Sequence, residues 1–176
     1  MRSLVFVGWW GMSACAQATP CWDTAAQRHG IAPELLYAVA RTESNLDATA
    51  VNRSHLQRTG SYDIGLMQIN SRHLPQLARH GIQEADLRDA CVNLQVGAWL
   101  LADLFARHGV SWDSVGAYNA ACSQLQGDDC RRARASYAWK VYQRLPTSKA
   151  GSAAHAARAI AAAAPLASTL MVRVAP

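Results

Sequence analysis

Several signals are missing from this chain, and each absence removes a class of function. There is no Cys-x-x-Cys among the five cysteines and no His-x-x-x-His or His-Glu-x-x-His among the six histidines. The usual ligand spacings of a zinc site are therefore absent, and neither a metal nor another cofactor is called for. No apolar run approaches the length of about 20 residues that a spanning helix requires. The stretch after Pro146 has no internal repeat that would build a solenoid. Concentrated positive charge is also missing, although the formal charge is +5, from 17 Lys and Arg against 12 Asp and Glu. Arg2 lies at the N-terminus and Lys149, Arg158 and Arg173 lie in the last 30 residues, which leaves 13 cations against all 12 carboxylates between Cys21 and Pro146. Nucleic-acid binding depends on a concentrated basic footprint. Only Arg131, Arg132 and Arg134 cluster tightly, and they read as a solvated helix start, so no nucleic-acid partner is expected.

What is present begins with a short basic start and an apolar run ending at Ala14-Cys15-Ala16. Residues 1–16 read as a secretory signal peptide cleaved after Ala16. The rival reading lipidates Cys15, because Met12-Ser13-Ala14-Cys15 is an imperfect lipobox. Either way Cys21, Cys91, Cys122 and Cys130 remain, an even set suited to an oxidising compartment. They admit three pairings. Cys21 with Cys91 and Cys122 with Cys130 is favoured, since the second closes a short loop rich in Gly and Asp.

A length of 176 residues suits one domain with a real core. Asp23 caps a short predicted helix over Thr24 to His29, and Pro33 opens a second that runs to about Asn45. On it Leu36, Val39, Ala40 and Glu43 share one face, so a carboxylate ends an apolar stripe. Ala50 to Asn70 is polar and rich in turn formers, and reads as a loop with a small irregular β-hairpin. Helical patterns return over Leu74 to Arg79, Gln83 to Arg88 and about Asp89 to Arg107, the last with a stripe of Val96, Trp99, Leu100 and Leu104. Trp112 to Ala120 and Arg131 to Leu145 complete a mostly α domain over residues 17–146. Residues 147–176 are rich in Ala, Ser and Gly, offer little to bury, and are expected to form a disordered tail.

Three short motifs carry the chemistry: Glu43-Ser44, Gly65-Leu66-Met67-Gln68-Ile69-Asn70 and Ala117-Tyr118-Asn119-Ala120. Glycoside cleavage needs a carboxylic acid that keeps its proton near neutral pH, and desolvation on the inward face of a helix raises a carboxyl pKa. Glu43 is placed for that role. With these motifs in this order, Cys21 to Leu145 resembles the soluble lytic transglycosylase domain, and specifically the small exported enzymes that accompany conjugative transfer, type III and type IV secretion, and pilus systems. The resemblance implies a lysozyme-like fold and a periplasmic enzyme. Its substrate would be the peptidoglycan glycan strand, with components of such an apparatus as partners.

Residue by residue, the resemblance implies that Glu43 is acid and then base, that Ser44 is the serine following it, and that Met67 and Gln68 line the sugar cleft. Tyr118 and Asn119 match the third motif, whose tyrosine hydrogen-bonds the catalytic carboxyl. Tyr137 matches a later cleft tyrosine. Ala121 departs from the glycine that often closes the third motif. Ser61 to Arg72 is also similar to the hairpin of C-type lysozymes, in which Asp63 would be the second catalytic carboxylate of a hydrolase; as an Asp beside a glycine turn it is equally a hydrogen-bonding residue. Three functions follow in order of preference: a lytic transglycosylase that makes 1,6-anhydro-MurNAc, a hydrolytic muramidase using Glu43 and Asp63, and a non-catalytic peptidoglycan-binding assembly module.

Overall fold

Pro33 sets the start of the helix around which this domain is built. A computed structural model describes residues 21–122 and 124–146; the signal cleavage after Ala16, the lipidation of Cys15 and the tail over 147–176 lie outside the described residues. Helix α1 (Cys21–His29) ends at Gly30 in the left-handed region (φ 63°), and α2 (Pro33–Glu43) follows at once. Leu35, Leu36, Ala38, Val39 and Ala40 are all buried, so α2 runs through the core. It stops at Glu43, two residues earlier than its pattern suggests, because Asn45 and Leu46 turn left-handed (φ 55° and 70°) and end the hydrogen-bond ladder.

The chain then forms β1 (Val51–Asn52), a single turn α3 (Leu56–Thr59), β2 (Asp63–Ile64) and β3 (Ile69–Asn70). These make a three-stranded antiparallel sheet in the order β1-β2-β3, one strand more than the expected hairpin. Its register pairs Val51 with Ile64, Asp63 with Asn70 and Ile64 with Ile69. Alternation along a strand sends Ile64 and Ile69 into the core and leaves Asp63 and Asn70 on the opposite face. After α4 (Leu74–Ala78) and a 3-10 turn at Ala85–Arg88 comes the longest helix, α5 (Ala90–His108), capped by Asp89, whose carboxylate accepts from the backbone N–H of Cys91 at 2.8 Å and of Val92 at 2.9 Å.

The buried face of α5 is Leu94, Ala98, Leu101 and Phe105 with Val96; Trp99, Leu100 and Leu104, expected in the core stripe, remain partly exposed. Helix α6 (Trp112–Asn119) begins at Ser111, which accepts from Ser114 N at 3.1 Å. Helix α7 (Gly127–Tyr142) starts a full turn before the expected Arg131, with Asp128 and Asp129 in its favourable first turn. It packs against α6 and α2. The result is the expected mostly helical domain with a small sheet, and among the described residues no helix is long and apolar enough to cross a membrane.

Candidate active site

Burial along α2 carries its last residue, Glu43, to the edge of a cleft of about 1070 Å³. One wall is the face of the sheet that bears Asp63, Gln68 and Asn70. The other is made by Trp99, Leu100 and Leu104 of α5 and by Tyr118 to Cys122. The residues that depart from the core stripe of α5 are thus those that line the cleft. Removal from water raises the Glu43 carboxyl to about 7. The Tyr137 hydroxyl, which donates to Glu43 Oε1, pulls the other way, the negative charge of Asp63 adds to the rise, and Lys140 opposes it. A carboxyl in that range holds a transferable proton at neutral pH and becomes a competent base once it has given it up.

The turn between β2 and β3 is fixed against α2 and α5. Ser44 Oγ donates to Leu66 O at 2.7 Å, fastening the end of α2 to the turn. Asn93 of α5 is fully buried and uses both ends of its amide: Oδ1 accepts from Met67 N at 2.7 Å, and Nδ2 donates to Leu87 O at 2.8 Å and Ile64 O at 2.9 Å. Gly65 is required twice over, since its φ is 75° and a Cβ there would stand 2.2 Å from Asn93 Nδ2. None of the three motifs includes Asn93; its signal is an amide between Val92 and Leu94 on the core side of an apolar helix.

The same turn corrects one expectation. Met67 does not line the cleft: it is 0% exposed and packs onto Gly97, where a Cβ would lie 2.7 Å from its side chain. Gln68 does line the cleft, in a left-handed conformation (φ 48°), with its amide nitrogen donating to Gly65 O at 2.8 Å and Ala50 O at 3.2 Å.

The two tyrosines also divide their work differently from the implied pattern. The hydroxyl on the Glu43 carboxyl is that of Tyr137, whereas Tyr118 donates to Met67 O at 3.0 Å and so braces the turn. Burial, followed by the nearby charge of Glu43, pushes both phenols well above their ordinary range, so both remain donors. Tyr137 is 5% exposed and lies behind the cleft; Tyr118 and Asn119 line it. Asp63 faces the cleft, with Oδ1 accepting from Asn70 Nδ2 at 2.7 Å and Oδ2 lying 3.5 Å from His55 Nε2. Glu43, Asp63, Gln68, Tyr118 and Asn119 therefore meet in one cleft, while Ser44, Met67 and Tyr137 support it from behind.

Cys21 is bonded to Cys91, tying α1 to α5, and Cys122 to Cys130, tying the cleft loop to the first turn of α7. Arg134 holds the same loop from the other side, donating to Ala120 O at 3.2 Å and to Asp113 Oδ2 at 2.8 Å. The loop is thus anchored with alanine at position 121. Gly116 permits the close approach of α6 to α7, because a Cβ there would be 2.5 Å from Arg134 O.

Residues 20–140 match the family model described as the transglycosylase SLT domain. The chain is 40% identical over 137 residues to the invasion protein IagB of Salmonella typhimurium, covering 77% of this chain and 83% of that one. It is 38% identical over 130 residues to a peptidoglycan-binding-like protein of Escherichia coli O157:H7, covering 71% and 75% respectively. Protein IpgF of Shigella flexneri is 37% identical over 125 residues, or 70% of this chain and 78% of that protein.

Proposed function

The chain belongs to the transglycosylase SLT domain family, and from that premise we propose that it is a lytic transglycosylase that cleaves the MurNAc-GlcNAc β-1,4 bond of peptidoglycan with Glu43 as its single acid-base. The observation that carries this reading is a carboxyl raised to about 7 by burial, at the edge of a cleft and held by one phenol.

Glu43 gives its proton to the glycosidic oxygen as the C1–O bond of MurNAc breaks, and the GlcNAc hydroxyl leaves. The cationic centre at C1 is stabilised by the substrate's own N-acetyl oxygen. The Glu43 carboxylate then takes the proton of the C6 hydroxyl of the same MurNAc, whose oxygen closes on C1. The product is a 1,6-anhydro ring, and Glu43 is reprotonated for the next cycle. Two features of this chain favour that route: Tyr137 orients Oε1 without removing the acid from its working range, and Oδ1 of Asp63 is already held by the Asn70 amide. A hydrolytic muramidase is the second reading, favoured by the position of Asp63 in the same cleft and by its effect on Glu43.

The two disulfides support an exported, oxidising location, and we read that location as the periplasm. Similarity to IagB, an invasion protein, supports local wall opening for an envelope-spanning secretion or transfer apparatus. Residues 17–146 are proposed to suffice for the chemistry. The direct test is Glu43→Gln, which keeps shape and removes the transferable proton. Turnover of purified peptidoglycan is expected to fall by about 10²–10⁴-fold, and near-normal turnover would contradict the assignment.

A further inference from the structure

The charges lining the cleft do not balance locally. Its carboxylates are all engaged: Glu43 by Tyr137, Asp63 by Asn70 and His55, and Asp103 by Arg107. Two of its guanidiniums, those of Arg58 and Arg72, have no carboxylate within 4.0 Å among the described residues. Both are exposed on the sheet side of the cleft. Arg72 Nη2 donates to the carbonyl of Thr59, the residue that directly follows Arg58, so the Arg72 guanidinium lies against the backbone of the turn that carries Arg58. One guanidinium is thus anchored by a backbone acceptor that leaves most of its donors unused, and the other makes no hydrogen bond among those described.

The sugars of a peptidoglycan strand are neutral; its carboxylates belong to the stem peptides, or to the lactyl groups once the peptides have been removed. A guanidinium with unused donors is suited to binding a carboxylate, since its planar fork offers parallel donors, and two such groups line this cleft. We propose that Arg58 and Arg72 form a site for the stem-peptide carboxylates of the strand, so that this protein distinguishes ionised stem peptides from amidated ones. The proposal rests on the peptidoglycan reading above and adds the part of the substrate recognised beside the cut.

The test uses full-chain Glu43→Gln protein, which retains the cleft, and measures its affinity for three glycan fragments of equal length. One carries stem peptides, one carries the same peptides with their carboxylates amidated, and one is stripped to its lactyl carboxylates. The peptide-bearing fragment should bind about tenfold more tightly than the amidated one, the scale of a charge-assisted pair, and the preference should shrink as salt rises. In the Arg58→Ala/Arg72→Ala background the two affinities should converge. If loss of the Thr59 contact unfolds that variant, Arg58→Ala alone, at a side chain with no described hydrogen bond, should still lower the ratio.

Equal affinity for native and amidated fragments would overturn the proposal, as would a preference that survives both substitutions. Stripped strands that bind as well as peptide-bearing ones would assign the pair to the lactyl carboxylate instead. Because these readouts are of binding, they are independent of cutting: absence of turnover by the unsubstituted protein would count against the transglycosylase reading and leave this one to be judged separately.

Discussion

The Tyr137 hydroxyl donates to Oε1 of Glu43 across a sequence separation of 94 residues, joining the end of α2 to the middle of α7. This bond favours the ionised carboxyl, while burial and the charge of Asp63 favour the protonated one. Burial wins, and the balance leaves the acid near neutrality.

Tyr137→Phe removes the one hydrogen bond that restrains the rise. Catalysis by a protonated Glu43 declines as pH passes its pKa, so in this variant the alkaline limb of the kcat/KM profile should move to higher pH, while loss of the bond that orients Oε1 should lower the plateau by about tenfold. An unmoved limb would show that the phenol does not act on Glu43.

A raised acid costs stability where it is forced to ionise. The folded pKa of Glu43 lies above its ordinary value of 4.5, at about 7, so the native state holds more protons between those values and stability falls as pH rises through that window. Glu43→Gln should therefore change the pH dependence of unfolding, stabilising the domain by about 3 kcal/mol at pH 8 relative to its effect at pH 4. Chemical denaturation at the two pH values checks this; equal effects at both would contradict the shift.

Much of this arrangement was legible in the sequence, for identifiable reasons. The 3.6-residue spacing of Leu36, Val39, Ala40 and Glu43 gives both the helix and the inward face of the acid, because burial follows periodicity. The turn-forming composition around Gly65 marks the second motif. What periodicity cannot supply is the partner. It does not say that Tyr137 rather than Tyr118 reaches the carboxyl, nor that Met67 turns inward, since these depend on how α7 packs on α2 and α6 on the β2–β3 turn, contacts made across 94 and 51 residues. Gly97 and Gly116 carry a partial signal, as glycines inside helices cost stability unless close approach requires them. The extra strand at Val51 is two residues long and has no local pattern to betray it.

Asn93 is predicted to be a structural hinge of the site. Asn93→Ala would leave Met67 N, Ile64 O and Leu87 O buried without their partner. At about 1–3 kcal/mol for each unsatisfied group, reduced by relaxation, a loss of about 3 kcal/mol or more is expected in denaturant unfolding. A loss under about 1 kcal/mol would mean that the turn is held by other means.

The two disulfides should differ in worth. Cys21–Cys91 closes a separation of 70 residues and Cys122–Cys130 one of 8. The chain-entropy relation gives about 4 kcal/mol for the first and about 2.5 kcal/mol for the second. Paired Cys→Ala variants measured by denaturant unfolding should keep that order. The shorter bridge, which lies at the cleft loop, should have the greater effect on turnover relative to its effect on stability. The reverse order in both measurements would remove the argument that the second bridge serves the site.

Glu43 working alone with the substrate's own groups is the central claim, and mass spectrometry of the muropeptides released by the purified domain tests it most directly. The wild type should release MurNAc ends in the 1,6-anhydro form, lighter by one water than hydrolysed ends, and Asp63→Asn should release the same product with substantial activity. Reducing-end products from the wild type, together with collapse of turnover in Asp63→Asn while binding persists, would contradict the account and assign the protein to hydrolysis through two carboxylates.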